Sequence, residues 1–218
     1  MKYKEEAMKV LLVNGAPHEK GCTYTALTEV QKTLNEEGIE TEIFWIRNKP
    51  IGGCIACKSC VTNGKCVFDD VVNEFVEKAK DFDGFIFGSP VHYAGATGNI
   101  TAFMDRAFYS AFCGGKGNHF SYKPAATVIS ARRAGTTATY DQLNKYFGIT
   151  QMPIISSRYW NMVHGATPED VKKDEEGMQI MRILGRNMAY YLKCIEAGKE
   201  KGIALPKQEE TRFTNFIR

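Results

Sequence analysis

Four of the chain's seven cysteines fall within 13 residues, as Cys54-x2-Cys57-x2-Cys60-x5-Cys66. Thiolates are the natural ligands of soft metal ions. Three of them spaced two apart can wrap one corner of an iron–sulfur cubane while the fourth comes from elsewhere; here Cys66 follows in the same loop. Structural zinc more often uses two Cys-x2-Cys knuckles about 15 to 20 residues apart, which this stretch lacks. Gly52, Gly53 and Gly64 let the backbone fold tightly round such a group. Free, half-buried thiols or a redox-active disulfide fit the same four residues, so cluster, zinc and unmetallated thiols all stay open. Cys113 and Cys194 have no partner at useful spacing and read as small buried hydrophobes.

Three further stretches carry ligand-binding residue types. Asn14 to Thr25 holds Gly15 and Gly21 and delivers Cys22, Thr23 and Thr25 to a helix start. Free N–H groups and the dipole at that end favour an anion such as a phosphate monoester, and the two hydroxyls add donors. No Lys-Ser/Thr pair follows the second glycine, and G-x-G-x-x-G is absent, so this is neither a Walker nor a Rossmann loop. Gly88 to Asn99 offers glycines for close backbone approach to a flat ring, with His92 and Tyr93 to stack on it or bond to it. Ser130 to Thr137 supplies Arg132, Arg133 and Gly135 for an anionic ring edge or a phosphate. Each stretch alone also reads as an ordinary turn; three together at one edge of a sheet point to a ligand.

The elements that would position these turns alternate between strand and helix, as in a parallel sheet covered on both faces. Val10 to Val13 is a continuous apolar run, the mark of a strand buried on both sides. Leu27, Val30 and Leu34 recur at helical spacing before Gly38. Ile39 to Ile46, Phe85 to Phe87, Ala125 to Ile129 and Ile154-Ile155 read as strands two to five. Asp69-Asp70 stands as N-cap and first-turn acid before Val71, Phe75 and Ala79. A long last helix is expected from Thr167-Pro168 through Ile195. Five such units imply a doubly wound three-layer α/β fold, a flavodoxin-like parallel sheet in order 2-1-3-4-5. Its ligand crevice lies at the carboxyl ends of the strands, where these turns fall. One domain over 1–218 is expected, with a core over about 8–198, a Cys-rich loop at 47–68 and a charged tail at 200–218.

Composition sets the outer bounds. The 218 residues are 44% hydrophobic and 24% charged, with 28 basic against 25 acidic residues, a formal charge of +3. That is ordinary globular usage, and so small an excess argues against a nucleic-acid partner. No run of 18 apolar residues is present, so no membrane span is expected. The N-terminus lacks the apolar stretch of a signal peptide, which with the cysteine usage implies the cytoplasm.

Taken together, Val10 to Gly21, Gly88-Ser89-Pro90 and the stretch ending Phe103-Met104-Asp105-Arg106 resemble the flavodoxin-like NAD(P)H-dependent FMN reductase family. With the Cys cluster added, the chain is most similar to the iron–sulfur flavoproteins within that family. The resemblance spans about residues 8 to 160. It implies FMN, with the phosphate held by His18, Gly21, Cys22, Thr23 and Thr25, and the ring by Pro90, Val91, His92, Tyr93 and Gly95. It also implies a [4Fe–4S] cluster on Cys54, Cys57, Cys60 and Cys66, and a homodimer or homotetramer with the flavin near the interface. The family usually carries Ser-Pro-Arg where this chain has Ala16-Pro17-His18, and Asn where it has Cys22. These departures touch phosphate affinity, not fold.

The implied activity is hydride transfer from NAD(P)H to FMN and onward passage of electrons to a second acceptor, a small molecule or a redox protein. The chemistry is the cofactor's and needs no side-chain acid or base. A flavodoxin-type carrier that does not oxidise NAD(P)H is the alternative, though flavodoxins tend to be shorter and strongly acidic. A cofactor-free module on the same fold is the third reading. A phospho-receiver needs acids where Asn14 stands, and no Cys-x5-Arg phosphatase loop occurs. Arg106 reads as an ion pair or dimer contact, and Trp160 and His164 as pocket or packing residues beyond the fifth strand.

Overall fold

The computed structural model of the chain describes residues 7–114, 119–210, 212, 214 and 216. In chain order the elements are β1 (Lys9–Asn14), α1 (Cys22–Glu36), β2 (Glu40–Trp45), α2 (Ser59–Asn63), α3 (Val71–Lys78), β3 (Gly84–His92), β4 (Gly95–Ala96), α4 (Gly98–Cys113), β5 (Ala125–Ala131), α5 (Thr136–Ile149), β6 (Met162–His164), α6 (Pro168–Lys173) and α7 (Glu175–Glu200). The sheet runs β2-β1-β3-β5-β6 with all neighbours parallel. The two-residue β4 adds an antiparallel hairpin to the end of β3. Apart from that hairpin, the order is the flavodoxin-like 2-1-3-4-5 expected from sequence.

Alternation along the strands divides two cores. Val10 and Leu12 point to the face covered by α1 and α7, among Leu27, Val30, Leu184 and Met188. Leu11 and Val13 point to the other face, where α3, α4 and α5 contribute Phe75, Phe103, Phe108 and Phe147. All four strand residues are fully buried, which explains why β1 is apolar throughout.

Register puts the strand exits at one level. Asn14 pairs with Gly88, and Gly88 with Val128. Where β1 and β3 diverge, Gly15 donates its N–H to the Gly88 carbonyl at 2.9 Å. A Cβ at Gly15 would lie 2.7 Å from that oxygen and 2.8 Å from Ile100 Cδ1. Only glycine fits this switch point.

Several expectations need correcting. Ile154-Ile155 is not the fifth strand: Ile154 makes a single bridge to Ala125. The chain then turns away at Ser157, whose N–H donates to Asn161 Oδ1 at 3.1 Å and whose hydroxyl donates to the Ile180 carbonyl at 2.8 Å. The edge strand is Met162–His164, entered through the buried Asn161, whose carbonyl accepts from Ile129. His164 therefore ends a strand, and Trp160 precedes it. The expected last helix is two, because the Asp174 carboxylate caps Gly177 at 2.9 Å and also accepts from His164 N–H at 2.6 Å, starting α7 afresh. Thr167 and Pro168 do open α6, through a capping box with Asp170. Cys194 is exposed and Cys113 half-buried, so neither is a core hydrophobe. Among the described residues no helix is long and apolar enough to cross a membrane.

Candidate functional site

The crevice at the carboxyl edge is built from three turns, and one side chain shapes the first. Asn14 is fully buried; its Oδ1 accepts from Ala16 N–H at 3.1 Å, and its Nδ2 donates to the Glu19 carbonyl at 2.8 Å. This Asx-type closure folds residues 15–19 back on themselves. Trp45, at the end of β2, braces the turn by donating Nε1–H to the Ala16 carbonyl at 2.8 Å. Sequence reading missed both roles. An Asn ending a buried strand was a usable signal; Trp45 had none, its partner lying 29 residues away.

Behind this turn α1 starts at Cys22 with Gly21 as N-cap and no side-chain cap. α5 starts in the same way behind Gly135. The other four helices of six residues or more are capped by Asp70, Thr97, Thr167 and Asp174. Two helix starts at the ligand edge thus keep first-turn N–H groups for an outside acceptor. A cleft of about 570 Å³ opens at the start of α1, lined by His18, Lys20, Cys22, Trp45, Asn48 and Pro168 among others.

The hydroxyls expected beside these amides are engaged elsewhere. Thr23 is buried, its Oγ1 2.8 Å from Ser130 Oγ. Thr25 donates to the Gly21 carbonyl at 3.1 Å. Cys22 lies 3.8 Å from the Gly165 carbonyl; burial pushes its thiol up, and the charges of Asp170 and Glu169 add to this. Main-chain N–H groups at this turn remain without a side-chain cap, with His18 exposed at its rim.

The other two turns form one wall. His92 pairs with Gly95 across a two-residue turn in which Tyr93 and Ala94 have φ of 49° and 60°, the left-handed pair of a type I′ hairpin. Pro90 and Val91 are half-buried beneath it, and Tyr93 stands fully exposed at the tip. Gln142 of α5 accepts from Ala96 N–H at 3.0 Å and ties the hairpin down. Gly135 presses against it from the turn after β5: its φ is +98°, and a Cβ there would lie 2.6 Å from Ala94 Cα. Arg132 and Arg133 lie exposed just before it. The sequence-expected ring residues and Gly135 are thus brought together. Trp160 and Tyr159 pack edge to face at 4.5 Å, both partly exposed.

The cysteine loop gathers as well. Cys54, Cys57, Cys60 and Cys66 line one recess together with Phe68, Arg106 and Tyr109. Cys60 is buried on α2, Cys66 is half-buried, and Cys54 and Cys57 are exposed. Among the described residues no three His, Cys, Asp or Glu side chains stand close enough for a single metal ion. Four thiols round one recess do match the donor set of a cubane, in which four cysteines hold the cluster. Burial pushes the Cys60 thiol up, and among neighbouring charges Cys113 adds most to this, ahead of Cys66 and Cys54. Cys113 reaches this neighbourhood because α2 packs on the end of α4: a Cβ at Gly114 would lie 3.2 Å from the Gly64 backbone. Asn99, at the start of α4, ties the loop to the crevice by donating to the Lys49 carbonyl at 3.1 Å and accepting from Ile51 N–H at 3.4 Å. Arg106 is an ion pair, as read from sequence, and it is buried, 2.7 Å from Asp70.

Comparison with known proteins identifies the family. The family model of NADPH-dependent FMN reductases matches residues 8–167. An iron–sulfur flavoprotein of Methanocaldococcus jannaschii is 32% identical over 87% of this chain and 100% of its own length. One of Archaeoglobus fulgidus is 30% identical over 84% of this chain and 97% of its own. Among solved structures, RosB with bound 8-demethyl-8-formylriboflavin-5'-phosphate superposes with a TM-score of 0.68, covering 97% of this chain and 94% of that one, at 14% identity. Sequence, site and fold thus converge, and the chain belongs to the NADPH-dependent FMN reductase family, within its iron–sulfur flavoprotein group.

Proposed function

We propose that this FMN-dependent oxidoreductase takes its electrons from NAD(P)H and passes them to a second acceptor, a small molecule or a redox protein. The observation that carries the reading is the uncapped start of α1 opening on the cleft lined by His18, Gly21 and Cys22, in a chain whose family is described by NADPH-dependent FMN reduction. FMN, when bound, supplies the electron-transfer chemistry. The protein's part is to bind and orient. Gly21, Cys22 and Thr23 offer main-chain N–H groups to the phosphate, and His18 closes the rim. Pro90 to Gly95 and Gly135 form the wall for the ring, with Arg132 and Arg133 beside it. Cys54, Cys57, Cys60 and Cys66 are assigned as ligands of a [4Fe–4S] group, which would supply one-electron transfer. Family membership supports this assignment, since the relatives named above are iron–sulfur flavoproteins. We extend the reading to a homodimer or homotetramer acting in the cytoplasm, with neither nucleic acid nor membrane as partner; light scattering on purified protein reports the subunit count.

An anaerobic visible spectrum with iron and zinc assays separates flavin alone, flavin with cluster, and neither. Rapid mixing with NADH or NADPH should then bleach the bound flavin directly. A flavin that stays oxidised makes the chain a flavodoxin-type carrier instead. Main-chain phosphate binding also predicts that FMN binds about 100-fold tighter than riboflavin, about 2.7 kcal/mol. Equal affinities would remove the phosphate site.

A further inference from the structure

We propose that Arg106 is the positioning residue of the cysteine loop, fastening both ends of the loop and placing a positively charged N–H against the Cys66 sulfur. This rests on the assignment of the four cysteines as cluster ligands.

Arg106 is 1% exposed, and its side chain is among the largest fully buried in the molecule. A guanidinium has five N–H donors, and here all five are used. Nε donates to Cys66 Sγ at 3.2 Å. Nη1 donates to Asp70 Oδ2 at 2.7 Å and to the Gly52 carbonyl at 3.3 Å. Nη2 donates to Asp70 Oδ1 at 2.8 Å and to the Phe68 carbonyl at 3.3 Å. The Phe68 ring stacks over the guanidinium, 4.8 Å from Cζ. Gly52 precedes the first cysteine of the group and Phe68 follows the last. One side chain from α4 therefore holds the entrance and the exit of the loop.

The bonds divide by purpose. The carbonyls fix backbone; Asp70 supplies the counter-charge that makes burial tolerable; only Nε addresses a sulfur. A purely structural arginine would need no contact with a thiol. Hydrogen bonds to cysteine sulfur favour the more negatively charged state of a cluster and so raise its reduction potential. The Asp70 carboxylate works against this by cancelling part of the guanidinium's charge at the same place. The two residues therefore act on Cys66 with opposite sign. Asn is as good an N-cap as Asp, so Asp70→Asn keeps the start of α3 while removing the negative charge.

The test compares Arg106→Met and Asp70→Asn with the wild type in two measurements. In the metal-free protein, hydrogen exchange over residues 52–68 should accelerate at least about tenfold in Arg106→Met, since the loop then opens locally. In iron-loaded protein, the midpoint potential should move to more negative values in Arg106→Met and to more positive values in Asp70→Asn. Shifts of the same sign in both variants, or no shift in Asp70→Asn, overturn the electrostatic role. Unchanged exchange in Arg106→Met overturns the clamp. If Arg106→Met does not fold, Arg106→Lys takes its place: it keeps the charge but has three donors and no planar fork, and it should loosen the loop while lowering the potential less. Should the wild type take up no iron, the ligand assignment fails on its own, and the exchange measurement alone decides the clamp.

Discussion

Gly135 joins two of the three ligand turns, and its replacement can be worked through in numbers. Its φ of +98° is a conformation that costs a side-chain-bearing residue about 1–2 kcal/mol. An added Cβ would also lie 2.6 Å from Ala94 Cα and 2.8 Å from Val91 Cγ1. One of these contacts is main chain and cannot swing aside, so overpacking adds about 1–3 kcal/mol. Gly135→Ala should therefore cost about 3 kcal/mol, which for a chain of this size lowers Tm by about 6–12 °C. Two control positions separate the contributions. Gly38 has φ of +82° with nothing within 4 Å of an added Cβ, so Gly38→Ala carries the backbone cost alone, about 1 kcal/mol. Gly98 has neither restriction, and Gly98→Ala at the first position of α4 should be neutral or slightly stabilising. The assay is thermal unfolding of the three variants with and without added FMN. Relief of the clash pushes the hairpin away from the turn after β5, so Gly135→Ala should also lose FMN affinity, which the two controls keep. A Gly135→Ala protein melting within about 2 °C of wild type would refute the contact and with it the single-wall geometry of the two turns.

Other outcomes depend on single contacts. Thr23→Val leaves the Ser130 hydroxyl buried without its 2.8 Å partner and should cost about 1–3 kcal/mol by urea unfolding; the preference for FMN over riboflavin should stay unchanged, and its collapse would place the Thr23 hydroxyl on the phosphate. Trp45→Phe removes the brace on the Ala16 carbonyl, at about 1 kcal/mol of stability, and should speed FMN release in a dilution assay. Burial, and then the adjacent Asp105 carboxylate, hold the Tyr146 phenol above its ordinary range. The folded protein keeps this proton where the unfolded chain gives it up, so the stabilisation is present below about pH 10 and lost as pH rises beyond it. The urea midpoint of wild type should accordingly fall more steeply between about pH 9 and 11 than that of Tyr146→Phe.

The legible parts of this chain are those whose causes are local. Val10 to Val13 had to be a strand buried on both faces, because four apolar residues in a row leave no polar face. Asp70 and Thr167 are caps that act on amides within three residues, and both were readable. The cysteine spacing and the glycines of the turns are local as well, which is why the loops that meet at the sheet edge could be named before their geometry was known. Ile154-Ile155 shows how a local signal misleads: two β-branched residues suit a strand, yet Ser156, Ser157 and Arg158 after them are polar, and the sheet edge is completed by residues 162–164.

What the sequence could not convey are bonds that join residues far apart in the chain, and these decide what each site residue does. Thr23 reads from sequence as a phosphate donor, and in the fold its hydroxyl also has a partner 107 residues on, Ser130 at 2.8 Å. Arg106 looks like one more helix arginine until Gly52, Cys66, Phe68 and Asp70 all converge on it. Cys113 joins the neighbourhood of Cys60 only because α2 packs on the end of α4. Residue type reveals capacity, and capacity becomes a role only when competing partners are absent. At the start of α1 they are absent, because Gly21 has no side chain with which to compete. Those amides, unlike the Thr23 hydroxyl with its Ser130 partner, have no side-chain acceptor within the protein.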